Sequence, residues 1–370
     1  MLLLYTANLI FIFAYGAYFL LPVHLRELGA TNAQIGAITA ATGITNTIAL
    51  VWLLISGFKS EPRRLMLLGI AAFGVGCAGM ALSENLWVIS AMRMFHGAGF
   101  CLYFIAANTW VSHNAPEEVL AKHLGYLGVV TLLAQSVSPP LAEAFARGFG
   151  FPALFAATLA FILLSGIFIR LLPETTEAVN PKPASLMDSK NQGIGPLLLG
   201  ALALLGGGLF GAVITFSPLH LMDCHIVPVS LFFIAYAVAA VAVRLVFRDF
   251  ADSLGHLVTA RICFLVLAAS VLMMSWSKSA LTFGTASAIF GMGHGLMYPS
   301  LAAYSVNAVA GGRLRGMAVW AGGFAIGVSL GAWIGGLVAE YFPIPMVFRV
   351  GAALPLLAAL VIRVPTRGKS

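Results

Sequence analysis

The 370-residue chain is 60% apolar and only 9% charged, with a formal net charge of +7. Soluble domains carry about 25% charged residues, so a chain this poor in polar side chains cannot cover a water-facing surface. The composition therefore excludes a soluble globular protein and predicts one that is surrounded by lipid.

Long apolar runs predict membrane-spanning helices. Only helices and closed barrels satisfy every backbone hydrogen-bonding group in hydrocarbon, and barrel strands alternate apolar and polar residues over about ten positions. The runs here continue for about 20 residues, the length of a membrane helix. The first run has neither the basic start nor the cleavage site of a signal peptide, so we interpret it as a span. Twelve such runs occur, near 2–22, 33–57, 64–82, 86–111, 120–146, 150–172, 195–218, 227–247, 257–276, 279–307, 314–340 and 344–363.

One long polar segment divides these runs into two groups of six. Residues 173–194 are rich in Pro, Ser, Thr and Asn and carry mixed charge, a composition typical of a linker. The sequence thus predicts an all-α membrane protein with twelve transmembrane helices. They form a six-helix bundle in 1–172, a cytoplasmic linker in 173–194 and a second six-helix bundle in 195–370.

The positions of Lys and Arg orient the predicted helices. These residues favour cytoplasmic segments. With the N-terminus inside, fifteen of them lie in inner segments and four in outer segments, and Arg93 lies within a span. Both termini are therefore predicted to be cytoplasmic. The basic residues form no patch, so the net charge is explained by topology and does not indicate a nucleic-acid partner.

An internal repeat relates the two halves. LPVHLREL (21–28) and SPLHLMDC (217–224) share a proline, a His-Leu pair and an acid, 196 positions apart. FHGAGFCLYFIAAN (95–108) is similar to GMGHGLMYPSLAAY (291–304) at the same spacing, which matches Gly97 with Gly293. Two halves with the same inside-to-outside order are pseudo-symmetric about an axis along the membrane normal. Such an arrangement predicts a substrate site near the midplane between halves that move against each other.

A loop motif resembles one found in the major facilitator superfamily. RLVFRDFADSLG (244–255) has Arg244, Asp252 and Gly255 at the expected places, and the resemblance implies that these residues form a conformational latch at the cytoplasmic helix ends. The first-half copy departs from the family pattern. It reads GFKSEPRR (57–64), which is shortened and has Glu61 as its only acid. The balance between inward- and outward-facing states is expected to change with it.

Three helix motifs extend the resemblance over the whole chain. RMFHGAG (93–99) is similar to the Arg-x-x-Gln-Gly-x-Gly pattern of proton-coupled drug exporters, with His96 at the Gln position. SVSPPLAE (136–143) is similar to the family's antiporter motif, although two of its glycines are replaced. GHGLMYPSL (293–301) resembles a signature of sugar- and drug-efflux-like bacterial members.

Two charged residues are candidates for substrate binding and proton coupling. Arg93 lies inside a span, where a charge is costly unless it faces a cavity or a partner. It is predicted to bind an anionic group of the substrate or to tune a coupling acid, and the alternative is a structural pin between helix ends. Glu143 is the deepest acid, and it is predicted to carry the proton with Arg93. The alternative for Glu143 is an ion pair with Arg147, four residues on.

Histidines and polar side chains in spans one, four, seven and ten complete the predicted substrate and proton pathway, since family members line their cavity with these spans. His96 and His294 lie near the midplane, where a neutral imidazole suits a proton relay. A buried histidine satisfied by a carbonyl group is the alternative for each. The other candidates, each of which alone could be a packing residue, are Asn8, Tyr15, Asn108, Tyr298 and Tyr304.

A metal site and a glycine stripe have structural interpretations. The group His220, Asp223, Cys224 and His225 could suggest metal binding, but its repetition at His24 favours a feature that ends a helix, and no metal is predicted. Glycines recur at every fourth position in span eleven, which permits close helix approach. These are Gly323, Gly327, Gly331 and Gly335.

The predicted function is transport. No phosphate-binding Gly-Lys-Ser/Thr loop occurs, so ATP is not the energy source, and no enzyme motif or soluble domain is present. We predict a monomeric secondary transporter of the bacterial cytoplasmic membrane that works by alternating access. It would export a small organic molecule, using the proton gradient and no cofactor. The alternatives are uptake of an organic anion or metal-chelating natural product anchored by Arg93, a lipid flippase, and a scaffold without transport activity.

Overall fold

The computed structural model describes residues 1–56, 60–174, 195–247, 253–308 and 313–362, and these residues contain helices and no strand. The chain divides into two compact units, Met1–Pro183 and Ala184–Ser370. Most of the predicted linker, 175–194, lies outside the described residues.

The first unit contains seven α-helices in its described residues. Helix α1 passes through a short 3-10 turn, Tyr18–Leu20, into α2, so the two form one continuous apolar segment. Helix α5 packs against α3 and α4, whereas α1 packs against α6 and α7. The helices are α1 (Leu2–Ala17), α2 (Leu21–Glu27), α3 (Asn32–Ser56), α4 (Pro62–Leu82), α5 (Leu86–Asn114), α6 (Glu117–Phe149) and α7 (Phe151–Arg170).

The second unit contains seven α-helices as described, with the same neighbours. Helix α11 packs against α9 and α10, as α5 packs against α3 and α4, and α8 packs against α12, α13 and α14. The helices are α8 (Pro196–Asp223), α9 (Leu231–Val246), α10 (His256–Trp276), α11 (Ala280–Ala308), α12 (Arg313–Tyr341), α13 (Pro345–Gly351) and α14 (Ala353–Val361).

A helix lies at each of the twelve predicted runs, and the described residues form a multi-pass membrane protein. Within the described ranges, nine helical segments are long and apolar enough to cross a bilayer. Two shorter apolar segments, Leu231–Val246 and Pro345–Val361, accompany them.

The repeated sequence LPVHLREL ends a helix by a specific hydrogen-bond pattern. The N–H of Ala30 donates to the carbonyl of Leu25 at 2.9 Å, and the N–H of Gly29 donates to that of Arg26 at 3.0 Å. Gly29 has a φ of 78°, in the left-handed region. This is a Schellman cap, which satisfies carbonyl groups that a helix end leaves without partners.

The second copy of the repeat forms the same cap. Ile226 N–H donates to the carbonyl of Leu221 at 2.8 Å, and His225 N–H donates to that of Met222 at 2.9 Å. His225 takes the place of the glycine, with a φ of 54°. The motif therefore has a structural role in both halves, as a helix end.

The glycine stripe of α12 lies against α8. A Cβ atom added at Gly331 would lie 1.9 Å from the carbonyl oxygen of Gly208, and one added at Gly327 would lie 2.3 Å from that of Leu204. No side chain larger than hydrogen fits at these crossings. The two backbones approach this closely because both positions lack a side chain.

Candidate functional site

Arg93 is a buried cation that pairs with no acidic side chain in the described part of the chain. It lies on α5 with 5% of its surface exposed. Its Nη1 donates to Nδ1 of His96 at 3.2 Å, and its guanidinium carbon lies 5.8 Å from the centre of the Tyr18 ring. Its Nε has no hydrogen-bond partner among the described residues, and none of their carboxylates pairs with it. One donor of this guanidinium is therefore used by His96, while Nε–H has no acceptor among these residues.

The contact with Arg93 determines the protonation of His96. A guanidinium only donates hydrogen bonds, so Nδ1 of His96 is the acceptor and carries no proton. The ring proton of the neutral imidazole is then on Nε2, which lies 3.7 Å from Sγ of Cys77. Protonation of Nδ1 would abolish this acceptor and place two cations in contact in a buried site.

Aromatic rings and a glycine hold His96 in place. The imidazole is fully buried and stacks on Phe73, with ring centres 4.0 Å apart and an interplanar angle of 11°. Tyr18 meets it edge-on at 4.3 Å, and the Tyr18 hydroxyl is 2.9 Å from Oγ1 of Thr158 on α7. Gly76 on α4 provides the space, since a Cβ atom there would lie 2.3 Å from His96 Cδ2.

Glu143 has an ion-pair partner in its own helix. Glu143 is buried near the end of α6 and forms an ion pair with Arg147, which is half exposed. This is the second of the two alternatives that the sequence left open for Glu143. The pairing of Arg93 with His96 instead joins two of the predicted pathway residues.

The remaining predicted residues of the first unit contact side chains or backbone within that unit. Asn8 is buried and its Nδ2 donates to Oγ1 of Thr131 at 3.0 Å, which ties α1 to α6. Asn108 donates to the carbonyl of Phe104 in its own helix at 2.8 Å. Tyr15 packs on Phe100 with ring centres 4.6 Å apart.

His294 is the centre of a second cluster, in the second unit. Its Nδ1 lies 2.9 Å from the hydroxyl of Tyr236, and its ring stacks on Phe210 at 4.6 Å and 13°. Tyr298, a predicted residue, lies 6.0 Å from it. Its Nε2 is buried and has no partner in the described part of the chain. Tyr304 lies further along α11 than Tyr298 and is half buried.

Tyr236 and Phe210 were not predicted from the sequence as site residues. A signal for Tyr236 was present, because it is the only polar side chain in the run from Leu231 to Val243. Phe210 lies among many apolar residues of α8, and nothing in its surroundings along the chain distinguishes it.

Among the predicted latch residues, Arg244 forms a hydrogen bond with α11. Nε of Arg244 donates to the carbonyl oxygen of Gly295 at 2.9 Å. Gly255 precedes α10 with a φ of 89°, a conformation that favours glycine. Asp252 lies outside the described residues.

The shortened first-half loop has its own contacts. The Glu61 side chain caps α4, since it accepts hydrogen bonds from the backbone N–H groups of Arg63 and Arg64 at 3.2 Å each. The Arg63 guanidinium donates to the carbonyl of Leu172 at 3.0 Å and pairs with Glu174. The single acid of this loop therefore starts a helix, and Arg63 ties α4 to the end of α7.

Helix contacts relate His96 to His294. A Cβ atom at Gly97 would meet Thr42 on α3, and one at Gly295 would meet Ala240 on α9. Both pairs are 198 positions apart (97 to 295 and 42 to 240), whereas the repeated caps are 196 apart. The second unit thus has two more residues between its cap and Ala240 than the first unit has between its cap and Thr42. His96 and His294, each next to the matched glycine, occupy equivalent places, although the sequence spacing paired Gly97 with Gly293.

The histidines of the two caps, His24 and His220, contact other residues of their own units, and the described residues form no metal-binding cluster around them. His24 lies 4.7 Å from the ring centre of Phe151, and Nε2 of His220 lies 3.0 Å from the carbonyl oxygen of Ser277. Across the described ranges, no cluster of three or more His, Cys, Asp or Glu side chains has the proximity that a metal ion requires.

Comparisons with known proteins agree with this architecture. A model of the Major Facilitator Superfamily matches residues 3–313 and 228–370. The chain is 22% identical over 302 residues to the Staphylopine export protein of Staphylococcus aureus, which covers 77% of this chain and 75% of that protein. It is 24% identical over 333 residues to the Probable sugar efflux transporter of Pasteurella multocida, with 85% and 78% covered.

Solved structures share the fold. The nucleoside transporter NupG superimposes with a TM-score of 0.74 at 13% identity, covering 98% of this chain and 97% of that one. A POT family transporter in complex with a thioalcohol-conjugated peptide superimposes with a TM-score of 0.79 at 12% identity, covering 97% and 94%. At such identities the likeness shows the fold alone.

Proposed function

Because the chain belongs to the Major Facilitator Superfamily and is a transporter rather than an enzyme, we propose that it exports a small organic molecule by alternating access, driven by the proton gradient. The proposal includes twelve spans in two six-helix bundles, a monomeric state, both termini in the cytoplasm and a bacterial cytoplasmic membrane. Outward direction is supported by the names of the two relatives, one an export protein and one an efflux transporter.

The observation that carries the proposal is the unpaired charge of Arg93. A buried guanidinium without a carboxylate is unfavourable, and intramembrane charges face a cavity or a partner. A planar guanidinium binds carboxylate, sulfonate or phosphate groups through two parallel hydrogen bonds. We therefore propose that the exported molecule carries an anionic group that binds to Arg93.

His96 supplies a way to couple this binding to protons. While neutral, it accepts a hydrogen bond from Arg93 and holds the guanidinium in place. A proton on Nδ1 removes that acceptor and repels Arg93. Under this mechanism, substrate and proton require different positions of Arg93 and exclude each other, as in an antiporter.

Uptake of an organic anion together with a proton is a second candidate, and the same pair favours it. An anion bound at Arg93 would attract a proton to His96, since the charges lie within a few ångströms in a buried site. Substrate and proton would then bind together and move in the same direction.

Proton flux in proteoliposomes distinguishes these candidates. Organic sulfonates and polycarboxylates, which do not cross bilayers unaided, would be added outside vesicles that contain a pH-sensitive dye. Antiport makes the lumen more alkaline as the anion enters, and symport makes it more acidic, whichever way the protein is inserted. Anion flux that ignores an imposed pH gradient would remove the coupling proposal.

A matched pair of variants tests the anchor. Arg93→Gln is expected to abolish the anion-dependent signal. Arg147→Gln removes a half-exposed arginine that pairs with Glu143 and is expected to keep it. If Arg93→Gln transports the anions as the unsubstituted protein does, Arg93 is not the anchor.

A further inference from the structure

Five aromatic rings surround His294 and come from four helices of the second unit. All of their centres lie within 6.1 Å of the imidazole centre. This spacing is that of aromatic pairs in direct contact. The rings belong to Phe210 on α8, Tyr236 on α9, Phe290 and Tyr298 on α11, and Phe324 on α12. We call this group the His294 cluster.

Counting protons shows that the cluster has one unused donor. Neutral His294 has one N–H and Tyr236 has one O–H, and the single hydrogen bond between them uses one of the two. A phenol O–H is a stronger hydrogen-bond donor than an imidazole N–H, so we assign the hydroxyl as donor to Nδ1. The remaining proton is then on Nε2, which is buried and unpartnered within the described residues. Buried donors without an acceptor are rare and call for a specific explanation, such as a functional role or a bound water or ion.

Exposure indicates where a ligand would lie. His294 has 6% of its surface exposed and Phe290 none, whereas Phe210, Tyr236, Tyr298 and Phe324 are half buried. Histidines in the middle of membrane helices face the protein interior or a water-filled opening. The partly exposed rings therefore lie at the surface of the second unit, next to the buried imidazole of His294.

From this arrangement we infer that the His294 cluster binds a planar aromatic molecule that carries a hydrogen-bond acceptor, a carbonyl oxygen or a pyridine-type nitrogen. The half-buried rings stack on the ligand, and Nε2–H donates to its acceptor. The inference rests on the proposed transport function only for the statement that the ligand is cargo. Binding itself depends on neither Arg93 nor protons.

Binding of 4-quinolone, a bicyclic aromatic ketone, to the full-length protein in nanodiscs is the test. Saturation-transfer NMR and isothermal titration would measure its affinity. His294→Phe preserves the aromatic packing and removes the donor, and it is expected to weaken binding about tenfold, the loss of one buried hydrogen bond. Phe210→Leu removes a stacking ring and should weaken binding several-fold.

Three further variants make the outcome decisive. Phe100→Leu changes a half-buried ring of the first unit and should bind 4-quinolone normally, as should Arg93→Gln. Tyr236→Phe removes the hydroxyl that sets the tautomer, so 4-quinolone should bind more weakly than to the unsubstituted protein even if His294→Phe does not fold. The inference would be overturned if the unsubstituted protein showed no saturable binding. It would also be overturned if His294→Phe and Tyr236→Phe both bound 4-quinolone as tightly as the unsubstituted protein does. Unchanged binding to Arg93→Gln would leave it intact even if the anion proposal fails.

Discussion

Nε of Arg244 donates to the carbonyl oxygen of Gly295 at 2.9 Å, and the reason lies four residues along α11. In an α-helix this carbonyl would accept a hydrogen bond from the N–H of residue 299. Residue 299 is a proline inside the helix, which has no N–H. Arg244 therefore supplies the missing donor to a backbone group that lipid cannot satisfy, and it ties α9 to α11 next to His294.

Arg244→Ala is expected to lower the free energy of unfolding by about 1–3 kcal/mol, the cost of a buried acceptor left without a partner. In a Pro299→Ala background the helix regains its own N–H, so the same substitution should cost less. Thermal unfolding of the four proteins of this double-mutant cycle in detergent measures the coupling. Arg261→Ala, at an exposed arginine of α10, serves as the control. Equal losses in both backgrounds would show that Arg244 does not replace the proline's missing donor.

Gly331→Ala should separate α8 from α12. The added methyl group would lie 1.9 Å from the carbonyl oxygen of Gly208, so the backbones must move, at a cost of about 1–3 kcal/mol for overpacking. Gly322→Ala is the matched control on the same helix, since no atom of another helix lies within 4 Å of its added Cβ. A thermal midpoint for Gly331→Ala that matches that of Gly322→Ala would contradict the close crossing.

His225→Gly should stabilise the protein by about 1 kcal/mol. A non-glycine residue in the left-handed region carries a steric cost of roughly this size, and His225 has a φ of 54° at the second cap. Gly29→Ala at the first cap should have the opposite effect, because its φ is 78° and no neighbour contacts the added methyl group. Thermal unfolding measures both, and a rise for Gly29→Ala would contradict the assignment of two equivalent caps.

His96→Gln should separate substrate binding from proton coupling. The glutamine amide oxygen can still accept the hydrogen bond of Arg93 but cannot take up a proton in the pH range where histidine titrates. Binding of the anions that the unsubstituted protein transports should persist, while their flux loses its response to an imposed pH gradient. A variant with full gradient dependence would place the coupling proton elsewhere.

Cys224 tests the topology of the two caps. It is the half-buried cysteine of the four, the other three being buried. A membrane-impermeant maleimide should label it from the outer face only, and Glu27→Cys in a Cys224→Ser protein should be labelled from that same face. Burial raises the pKa of the Cys224 thiol, and the nearby Asp223 carboxylate raises it further. Labelling should therefore be slow at pH 7 and speed up as the pH rises, since the thiolate reacts. Labelling of the two positions from opposite faces would disprove the repeat.

Local patterns in the sequence were sufficient for the helices and their ends. Apolar run length predicts a segment such as Leu86–Asn114, and the repeated LPVHLREL predicts a helix end, because both depend on residues within a few positions of each other. Arg93 could likewise be singled out, since the cost of a charge inside an apolar run does not depend on its neighbours in space.

The contacts between helices required the tertiary structure. Arg93 meets His96 three positions along one helix, and Glu143 meets Arg147 four positions along another. By contrast, only helix packing places the His96 ring on Phe73 of α4. His294 meets Tyr236, 58 positions away, because α9 and α11 cross at Gly291 and Gly295. Run length and periodicity depend on neighbours along the chain, whereas which side chains meet depends on the rotation and register of one packed helix against another. A shift of two residues in the repeat was enough to change which glycines correspond.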